Sequence, residues 1–492
     1  MVMEETERNL REKIEQEAKN TLKKTMWEGY ANDILTGLQK NPGVQPDRPI
    51  WELVQNARDV AYENKKAKIV FIRKQDHFVF QHNGQPFTRT TLQSLILQTS
   101  SKVREDIIQV GQYGTGFLTT HKFGLDFRLS GSLSLLEGLK FYNFSGRDFI
   151  IKRSAQDKVK LSDDLDATIA KTQQWGLDLN SLEDNPRRET IFEYQHNFNA
   201  ERENAKIAIK EAPKLVPYVL ALNKHIESIS FIDEVEGPKE ESFTFQNEEI
   251  YDNLENLRVY ETTILHSQSG QKDKIISLFL LKSLRCLEEK TGESKFTIIL
   301  PLKKISEGLK VFNFDNSIPR LYLYLPLLGS KDWGCNFLFH SPSFTCDQDS
   351  RDSIMLRFNP QAEVHHDQIN KDIIREASDA LKKYLTYKYL NLTDARFLCP
   401  INFVKGKSDN ETNQYYQELQ KEWVSFFECL NLVEYEDGKT IPVKSIRVLS
   451  NELYLACEQD VSLLDAIYNL LSKAVHLILP NKEVKKTGVN IP

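Results

Sequence analysis

The chain has 492 residues, enough for about three domains at roughly 150 residues each, and 40% of them are apolar, enough for several hydrophobic cores. Its net charge of −6 disfavours a protein that binds nucleic acid along its whole length. The six cysteines include no C-x-x-C pair, which argues against a zinc ribbon or a disulfide framework. The sequence shows neither a signal peptide nor an apolar stretch of the roughly 20 residues that a membrane span needs, so we expect a soluble, cytoplasmic protein with no membrane contact.

The first part of the chain alternates between helical and strand-like patterns. Leucine and isoleucine recur among many Glu and Lys residues over 4–40, which predicts a helix. After the turn-rich NPGVQPDRP, a second helix is predicted over 50–64, with Pro49 at its first position, where a missing N–H costs no hydrogen bond. Other predicted elements are a hairpin of 67–73 and 77–81, a helix over 88–98, and strands over 126–134, 139–144 and 190–194.

Longer strands separated by Ser-, Gly- and Lys-rich turns follow residue 230, so we place a domain boundary there. The alternation predicts an α/β or α+β protein, divided into domains 1–230, 231–390 and 391–492. The predicted elements beyond the boundary are strands over 276–281, 296–300, 321–327 and 337–339, helices over 368–388 and 411–430, and a hairpin at Asp437-Gly438.

The helix after Pro49 carries the first of three short motifs, Glu52-Leu-Val-Gln-Asn56-Ala-Arg-Asp59. At 100° per residue, Glu52, Asn56 and Asp59 share one narrow stripe of the helix. The Asn amide oxygen suits Mg²⁺, which takes few protein ligands, and a Glu one turn away could polarise a water molecule. A polar, solvated helix face is the alternative interpretation.

The second motif, His82-Asn83-Gly84-Gln85-Pro86-Phe87, follows the predicted hairpin. A glycine after Asn at a strand end permits a tight backbone path close to a flat ligand. Taken alone, the motif is equally typical of an ordinary turn.

The third motif, Gly111-Gln112-Tyr113-Gly114-Thr115-Gly116-Phe117, precedes a predicted helix over 117–122. Glycines at a helix N-terminus leave backbone N–H groups accessible to phosphate oxygens. The motif is neither a Walker A sequence, since no Gly-Lys-Ser/Thr follows, nor a dinucleotide fingerprint.

In this order, about 30 residues apart, the three motifs resemble the ATP-binding domain shared by DNA gyrase B subunits, 90-kilodalton heat-shock chaperones, sensor histidine kinases and MutL-type repair proteins, the GHKL superfamily. ELVQNARD resembles its N box, and VGQYGTGF is similar to the glycine motif of its chaperone and MORC-type branches. The resemblance covers residues 20–200. It implies a Bergerat-type domain, a mixed sheet covered by helices, followed by an α/β transducer-like domain and a small α/β C-terminal domain.

The resemblance also implies roles for individual residues. Glu52 would be the general base that orients water, and Asn56 would be the ligand of Mg²⁺. The glycine motif would close a lid over residues 88–110, and Thr190 would lie on a strand under adenine, unless it is an ordinary strand threonine. The expected nucleotide-binding residues are Asn56, Asp59, His82, Asn83, Gly84, Lys102, Gly111, Gln112, Gly114, Thr115, Gly116, Phe117 and Thr190.

His82 is a departure from the family pattern. The family has an Asp here, whose carboxylate accepts the adenine amino group, and Pro86 replaces the second glycine of that box. A neutral imidazole can accept one N–H through its bare nitrogen, whereas a protonated imidazole cannot. The sequence therefore leaves open which nucleotide base is preferred and how nucleotide binding depends on pH. The alternative interpretation is that His82 is an ordinary residue at a strand end and that the base is recognised elsewhere.

In related machines a second domain sends a basic residue to the γ-phosphate. The candidates for that catalytic role are Lys303, Lys304 and Arg351. The alternative interpretation is that the two lysines are simply solvated and that the arginine has a structural role in its loop.

The predicted function is that of a slow Mg-ATPase acting as a nucleotide-gated switch or dimerisation clamp. We expect a homodimer or a protein partner. HNGQPFT is similar to a bacterial branch of chaperone-like ATPases, which suggests anti-phage defence. The alternatives are a nucleotide-sensing scaffold that does not hydrolyse ATP and a MORC-type DNA clamp, which the net charge does not indicate.

Overall fold

The computed structural model describes residues 2–39, 43–99, 116–284, 294–347, 352–403, 410–434 and 440–442, with single residues at 445, 462 and 466. The protein is mixed α/β, with a large mixed β-sheet and helices, which confirms the predicted class. It divides into two compact units. Unit 1 comprises Met1–Gln246 and Ile264–Ile276, and unit 2 comprises Asn247–Thr263 and Ser277–Pro492. The boundaries predicted at 230 and 390 stay predictions.

The helices of unit 1 begin with α1 over Val2–Gln39, which confirms the long N-terminal helix. Helix α2 (Arg48–Asp59) has Pro49 at its second position rather than at the predicted first one, and it ends at Asp59 rather than at residue 64. It ends there because the carbonyl of Val60 accepts the N–H of Gln85 instead of continuing the helical ladder. The other helices in the described part of unit 1 are α3 (Arg89–Leu97), α4 (Lys158–Gln173), α5 (Asn199–Glu211), α6 (Val216–Leu222) and the 3₁₀ helices Gly116–Phe123, Leu136–Gly138, Leu179–Ser181 and Ala212–Leu215.

The sheet of unit 1 is built around the predicted hairpin. Its strands are β1 (Ala67–Arg73), β2 (His77–His82), β3 (Phe127–Leu135), β4 (Lys140–Phe144), β5 (Ile150–Ile151), β6 (Leu182–Glu183), β7 (Thr190–Gln195), β8 (Ile226–Asp233) and the beginning of β9 (Lys239–Leu254). Their order is β9-β8-β1-β2-β7-β3-β4-β6, with β5 beside β3. Among the strands that the structure describes in unit 1, only β1 and β8 pair in parallel, so the sheet is mixed.

Aromatic side chains fill the core of unit 1. Phe71 on β1 stacks on Phe80 of β2 with ring centroids 5.4 Å apart, and Phe127 of β3 stacks on Phe192 of β7 at 5.8 Å. All four rings are at most 5% exposed. Phe80 is the register partner of both Phe71 and Phe192, so these rings lie side by side on one face of the sheet.

Unit 2 contains the later part of β9, the earlier part of β10 (Leu257–Gln268) and the later part of β11 (Lys274–Ser283), followed by nine further strands within the described residues. The predicted strand over 321–327 is two short strands, because Tyr324 has a left-handed backbone with φ of 59° that interrupts the extended run. The further strands are β12 (Thr297–Leu300), β13 (Leu302–Ile305), β14 (Gly308–Val311), β15 (Leu321–Leu323), β16 (Leu325–Pro326), β17 (Leu338–His340), β18 (Leu392–Thr393), β19 (Asn431–Glu434) and β20 (Thr440–Pro442).

Two long helices of unit 2, α7 (His366–Lys388) and α8 (Asn410–Cys429), confirm the two helical predictions for this part of the chain. Trp423 of α8 is 1% exposed and stacks on Phe337, so α8 packs into the same core as the strands before it. Strands β19 and β20 pair antiparallel, as the predicted hairpin requires, while its turn at Asp437-Gly438 lies outside the described residues.

Candidate functional site

Helix α2 separates an apolar side from a polar stripe. Ile50, Leu53, Val54 and Ala57 are fully buried, while Glu52 and Asn56 are half-buried on the other side. Hydrophobic contact therefore fixes the helix, and the predicted stripe of oxygen-bearing side chains is present. Asp59, the last helical residue, differs from the other two because its side chain is only 4% exposed, with Oδ1 3.5 Å from Nη1 of Arg58.

Gly116, the last glycine of the third motif, packs directly on Glu52. A Cβ placed on Gly116 would overlap the Glu52 carboxylate, 2.8 Å from its Cδ atom. Only glycine therefore lets the start of the 3₁₀ helix approach α2 so closely. The structure thus brings together the first residue of the first motif and the last glycine of the third.

The 3₁₀ helix Gly116–Phe123 lies where a helix was predicted, although it is tighter than an α-helix. Hydroxyl groups stabilise its first turn: Oγ1 of Thr119 donates to the carbonyl of Gly116, and Oγ1 of Thr120 donates to the carbonyl of Phe117, both at 2.7 Å. Phe117 is 9% exposed, and its ring lies 6.0 Å from that of Phe192. Its side chain therefore anchors the turn in the sheet core.

The second motif is joined to the C-terminal end of α2. The backbone N–H of Gln85 donates to the carbonyl of Val60 at 2.7 Å, and its side-chain amide donates to the carbonyl of Ala61 at 3.1 Å. A Cβ on Gly84 would lie 2.9 Å from the carbonyl oxygen of Val60. Glycine is required at this position because the two segments approach backbone to backbone.

His82 ends β2 and is buried, with 5% of its surface exposed. Burial lowers its pKa to about 4, because desolvation penalises the charged imidazolium, so the ring is neutral at pH 7. Its Nδ1 atom accepts the backbone N–H of Gly84 at 3.1 Å. A neutral imidazole that accepts at Nδ1 carries its proton on Nε2, so its remaining nitrogen is a donor.

Thr190 and His82 are cross-strand partners. Strand β7 begins at Thr190, and the antiparallel register of β2 and β7 sets Thr190 opposite His82. Thr190 is 4% exposed, and a Cβ on the neighbouring Gly131 would lie 3.5 Å from its Oγ1 atom. His82 and Thr190, which were both predicted to lie near the adenine base, are therefore side by side although they are 108 positions apart in the sequence.

Asn83 has a structural contact that the sequence did not indicate. Its Oδ1 atom accepts the backbone N–H of Lys68 at 2.7 Å, and its Nδ2 atom donates to the carbonyl of Lys66 at 3.4 Å. These bonds tie the strand end to the start of β1. The amide of Asn83 is thus engaged by backbone groups, and its predicted contact with a nucleotide stays a prediction.

Arg48 is a site residue that the sequence analysis missed. Its Nη2 atom lies 3.4 Å from Oε1 of Glu52, one helical turn away. The signal was an i, i+4 pair of opposite charges. The pair was not recognised because the helix was predicted to begin at residue 50, which left Arg48 outside it, whereas the helix begins at Arg48.

The other predicted residues are distributed as follows. Lys303 lies on β13 in unit 2, opposite Lys310, and is exposed. The predicted lid begins with α3, which Thr88 caps by accepting the N–H of Thr91 at 3.1 Å. The residues that lie outside the described part of the chain are Lys102, Gly111, Gln112, Gly114, Thr115 and Arg351.

Comparison with models of known protein families found no match, and comparison with curated proteins also found none. The family resemblance therefore stays a prediction. Across the described ranges, no group of three or more His, Cys, Asp or Glu side chains is arranged to hold a metal ion. Nor does any helix in those ranges combine the length and apolar character that crossing a bilayer requires.

Proposed function

We propose that unit 1 binds Mg-ATP in a GHKL-type, Bergerat-fold site and hydrolyses it slowly, so that the protein acts as a nucleotide-gated switch or dimerisation clamp. The observation that carries the proposal is the contact between Glu52 and Gly116, which begin the first motif and end the glycine series of the third. A general base belongs beside the turn that cradles the phosphates, and this packing supports that arrangement.

The position of Asn56 on α2 gives further support. Glu52, which contacts the glycine motif, lies one turn before Asn56, and Val60, which contacts the second motif, lies one turn after it. Asn56 is therefore flanked by both motifs. A ligand that touches all three motifs would have to pass over this residue.

The donor set around Asn56 fits a magnesium ion. The side chains of Asn56 and Glu52 supply hard oxygen atoms, and Mg²⁺ commonly keeps one or two protein ligands and takes the rest from phosphates and water. When bound, the ion supplies charge neutralisation at the phosphate oxygens. Asn56 would hold it, and Glu52 would orient the attacking water by accepting its proton.

Slow turnover follows from the same contact. The Glu52 carboxylate rests against Gly116 and lies near Arg48, so a water molecule must find room beside it before it can be polarised. A local shift of the backbone at Gly116 would make room for that water molecule. Conformational steps of this kind, rather than chemistry, limit many enzymes.

The deciding experiment measures phosphate release and calorimetric binding of Mg-ATP for the wild type, Glu52→Gln and Asn56→Ala. We expect Glu52→Gln to bind ATP and lose at least about 100-fold in turnover, as removal of a general base typically does. Asn56→Ala should lose the magnesium dependence of binding. Glu63→Gln, an exposed carboxylate beyond the end of α2, is the matched control and should behave like the wild type.

Equal turnover of the wild type and Glu52→Gln would overturn the assignment of the base. Tight ATP binding by the wild type without phosphate release would favour the sensing scaffold. Absence of ATP binding would overturn the proposal as a whole.

A further inference from the structure

The exposed N-terminal part of α1 carries one regular row of apolar side chains. Within residues 10–26, every apolar residue falls at an interval of four, and all others are polar or charged. The four large members of the row are between 52% and 64% exposed. The row consists of Leu10, Ile14, Ala18, Leu22 and Met26.

The middle of the row, at Ala18 and Leu22, points away from the body of unit 1. Helix α1 is anchored through its C-terminal part, where Ala31 and Ile34 are buried. Ala31 lies nine positions after Leu22, which at 100° per residue sets them about 180° apart around the helix. The ion pair between Lys23 and Asp166 of α4, at 2.8 Å, also lies off the row. The apolar row is therefore a free surface in the described part of the chain.

The row is symmetric about Ala18. Leu10 and Met26 lie eight residues on either side of it, and Ile14 and Leu22 lie four residues on either side. At 100° per residue, Ile14 and Leu22 lie about 40° to either side of Ala18, whereas Leu10 and Met26 lie about 80° to either side. A two-fold axis through Ala18 would therefore place Ile14 of one copy against Leu22 of another, with Leu10 and Met26 at the edges of the contact. Side chains spaced by four form one of the ridges through which helices pack, and a small residue at the crossing lets the two axes approach closely.

Charge selects the direction of the second helix. Residues 4–17 contain six Glu and three Arg or Lys, whereas residues 18–26 contain three Lys and no acidic residue. An antiparallel partner places the acidic half of one helix against the basic half of the other. A parallel partner would place the acidic halves together, which like-charge repulsion disfavours.

We propose that α1 is a self-association surface, through which two copies of this chain pair antiparallel and cross at Ala18. The occupant of the row is thus a second copy. The inference does not depend on the proposed function, and the association is expected without nucleotide.

The first test measures the mass of the full chain by sedimentation and light scattering across concentrations up to about 100 μM, a range that detects micromolar association. We expect a concentration-dependent species of about twice 57.0 kDa. Leu22→Glu should raise the dimer dissociation constant at least tenfold. Asn20→Glu, about 200° around the helix from Leu22, is the matched control and should leave it unchanged.

The second test establishes direction by disulfide cross-linking. Mixed Ile14→Cys and Leu22→Cys proteins should cross-link to each other. Ile14→Cys alone should not exceed the wild type, because its two copies would lie about 12 Å apart along the helices, beyond disulfide reach. Both substitutions are on an exposed helix face, and circular dichroism checks that the fold is kept. A monomer at every concentration, a dimer that is insensitive to Leu22→Glu, or efficient cross-linking of Ile14→Cys to itself would each overturn the proposal.

Discussion

The Nδ1 atom of His82 accepts the backbone N–H of Gly84 at 3.1 Å, and this single bond assigns the proton of the neutral ring to Nε2. From the sequence, the bare nitrogen of the ring was expected to be available to accept the adenine amino group. In the structure that nitrogen is already used by the chain itself. The group left for a ligand is therefore an N–H donor.

The first prediction concerns base preference. A donor at Nε2 matches the 6-oxo group of guanine or hypoxanthine and does not match the 6-amino group of adenine. We expect GTP or ITP to bind at least as tightly as ATP, and His82→Asp, which restores an acceptor, to shift the ratio toward ATP by about tenfold, or roughly 1.4 kcal/mol. Calorimetry with the three nucleotides measures this. A strong preference of the wild type for ATP would contradict it.

The second prediction concerns the contact of Gly116 with Glu52. Gly116→Ala should reduce nucleotide turnover at least tenfold, because the added Cβ overlaps the Glu52 carboxylate and forces the two segments apart. Gly29→Ala is the control, since a Cβ there meets nothing within 4 Å and the residue lies inside α1. That substitution should leave activity intact and stabilise the helix by about 0.5–1 kcal/mol. Equal effects of both variants would show that the contact is not functional.

The third prediction separates two asparagines. Asn83→Ala removes side-chain bonds to the backbone of Lys66 and Lys68, so we expect the free energy of unfolding to fall by about 1–2 kcal/mol. Asn56→Ala removes a half-buried amide from a helix surface and should change stability by less than about 0.5 kcal/mol while weakening Mg-nucleotide binding. Urea unfolding and calorimetry give both quantities. The reverse pattern would assign the ligand to Asn83.

The fourth prediction is a loss of stability in acid. Burial lowers the pKa of His82 and of His196 to about 4, and that of His121 to about 3, in each case chiefly by desolvation. Unfolded histidine titrates near 6.5, so between pH 6.5 and pH 4 the unfolded chain binds protons that the native chain does not. The free energy of unfolding should therefore fall from pH 7 to pH 5, by roughly 1–2 kcal/mol for each histidine.

Urea unfolding followed by tryptophan fluorescence at pH 7, 6 and 5 measures that dependence. His121→Leu, in a pocket lined by aromatic rings, removes one titrating group and should make the dependence shallower. An unchanged slope for this variant would show that the pKa of His121 is not lowered in the native state.

Local patterns predicted most of the unit 1 elements that carry the site. The bounds of β1 matched the prediction, and α3 begins and ends within a residue of it, because Thr88 supplies a cap and Gln98 takes a left-handed conformation. Helices α4, α5 and α6 had no counterpart among the predictions. In α4, however, Leu161, Leu165 and Ile169 recur at intervals of four after the capping Asp157, so the signal was present in the sequence.

The length and charge of the chain, its motifs and their order, and the symmetric apolar row on α1 are properties of the sequence alone, because they depend only on which residues stand at which spacing. The contact of Gly116 with Glu52, the register that pairs His82 with Thr190, and the proton position on His82 were decided by tertiary structure. Each of them depends on how segments distant in the chain pack against one another. Hydrophobic periodicity reports which face of an element is buried, but not which partner covers it or which hydrogen bond remains for a ligand.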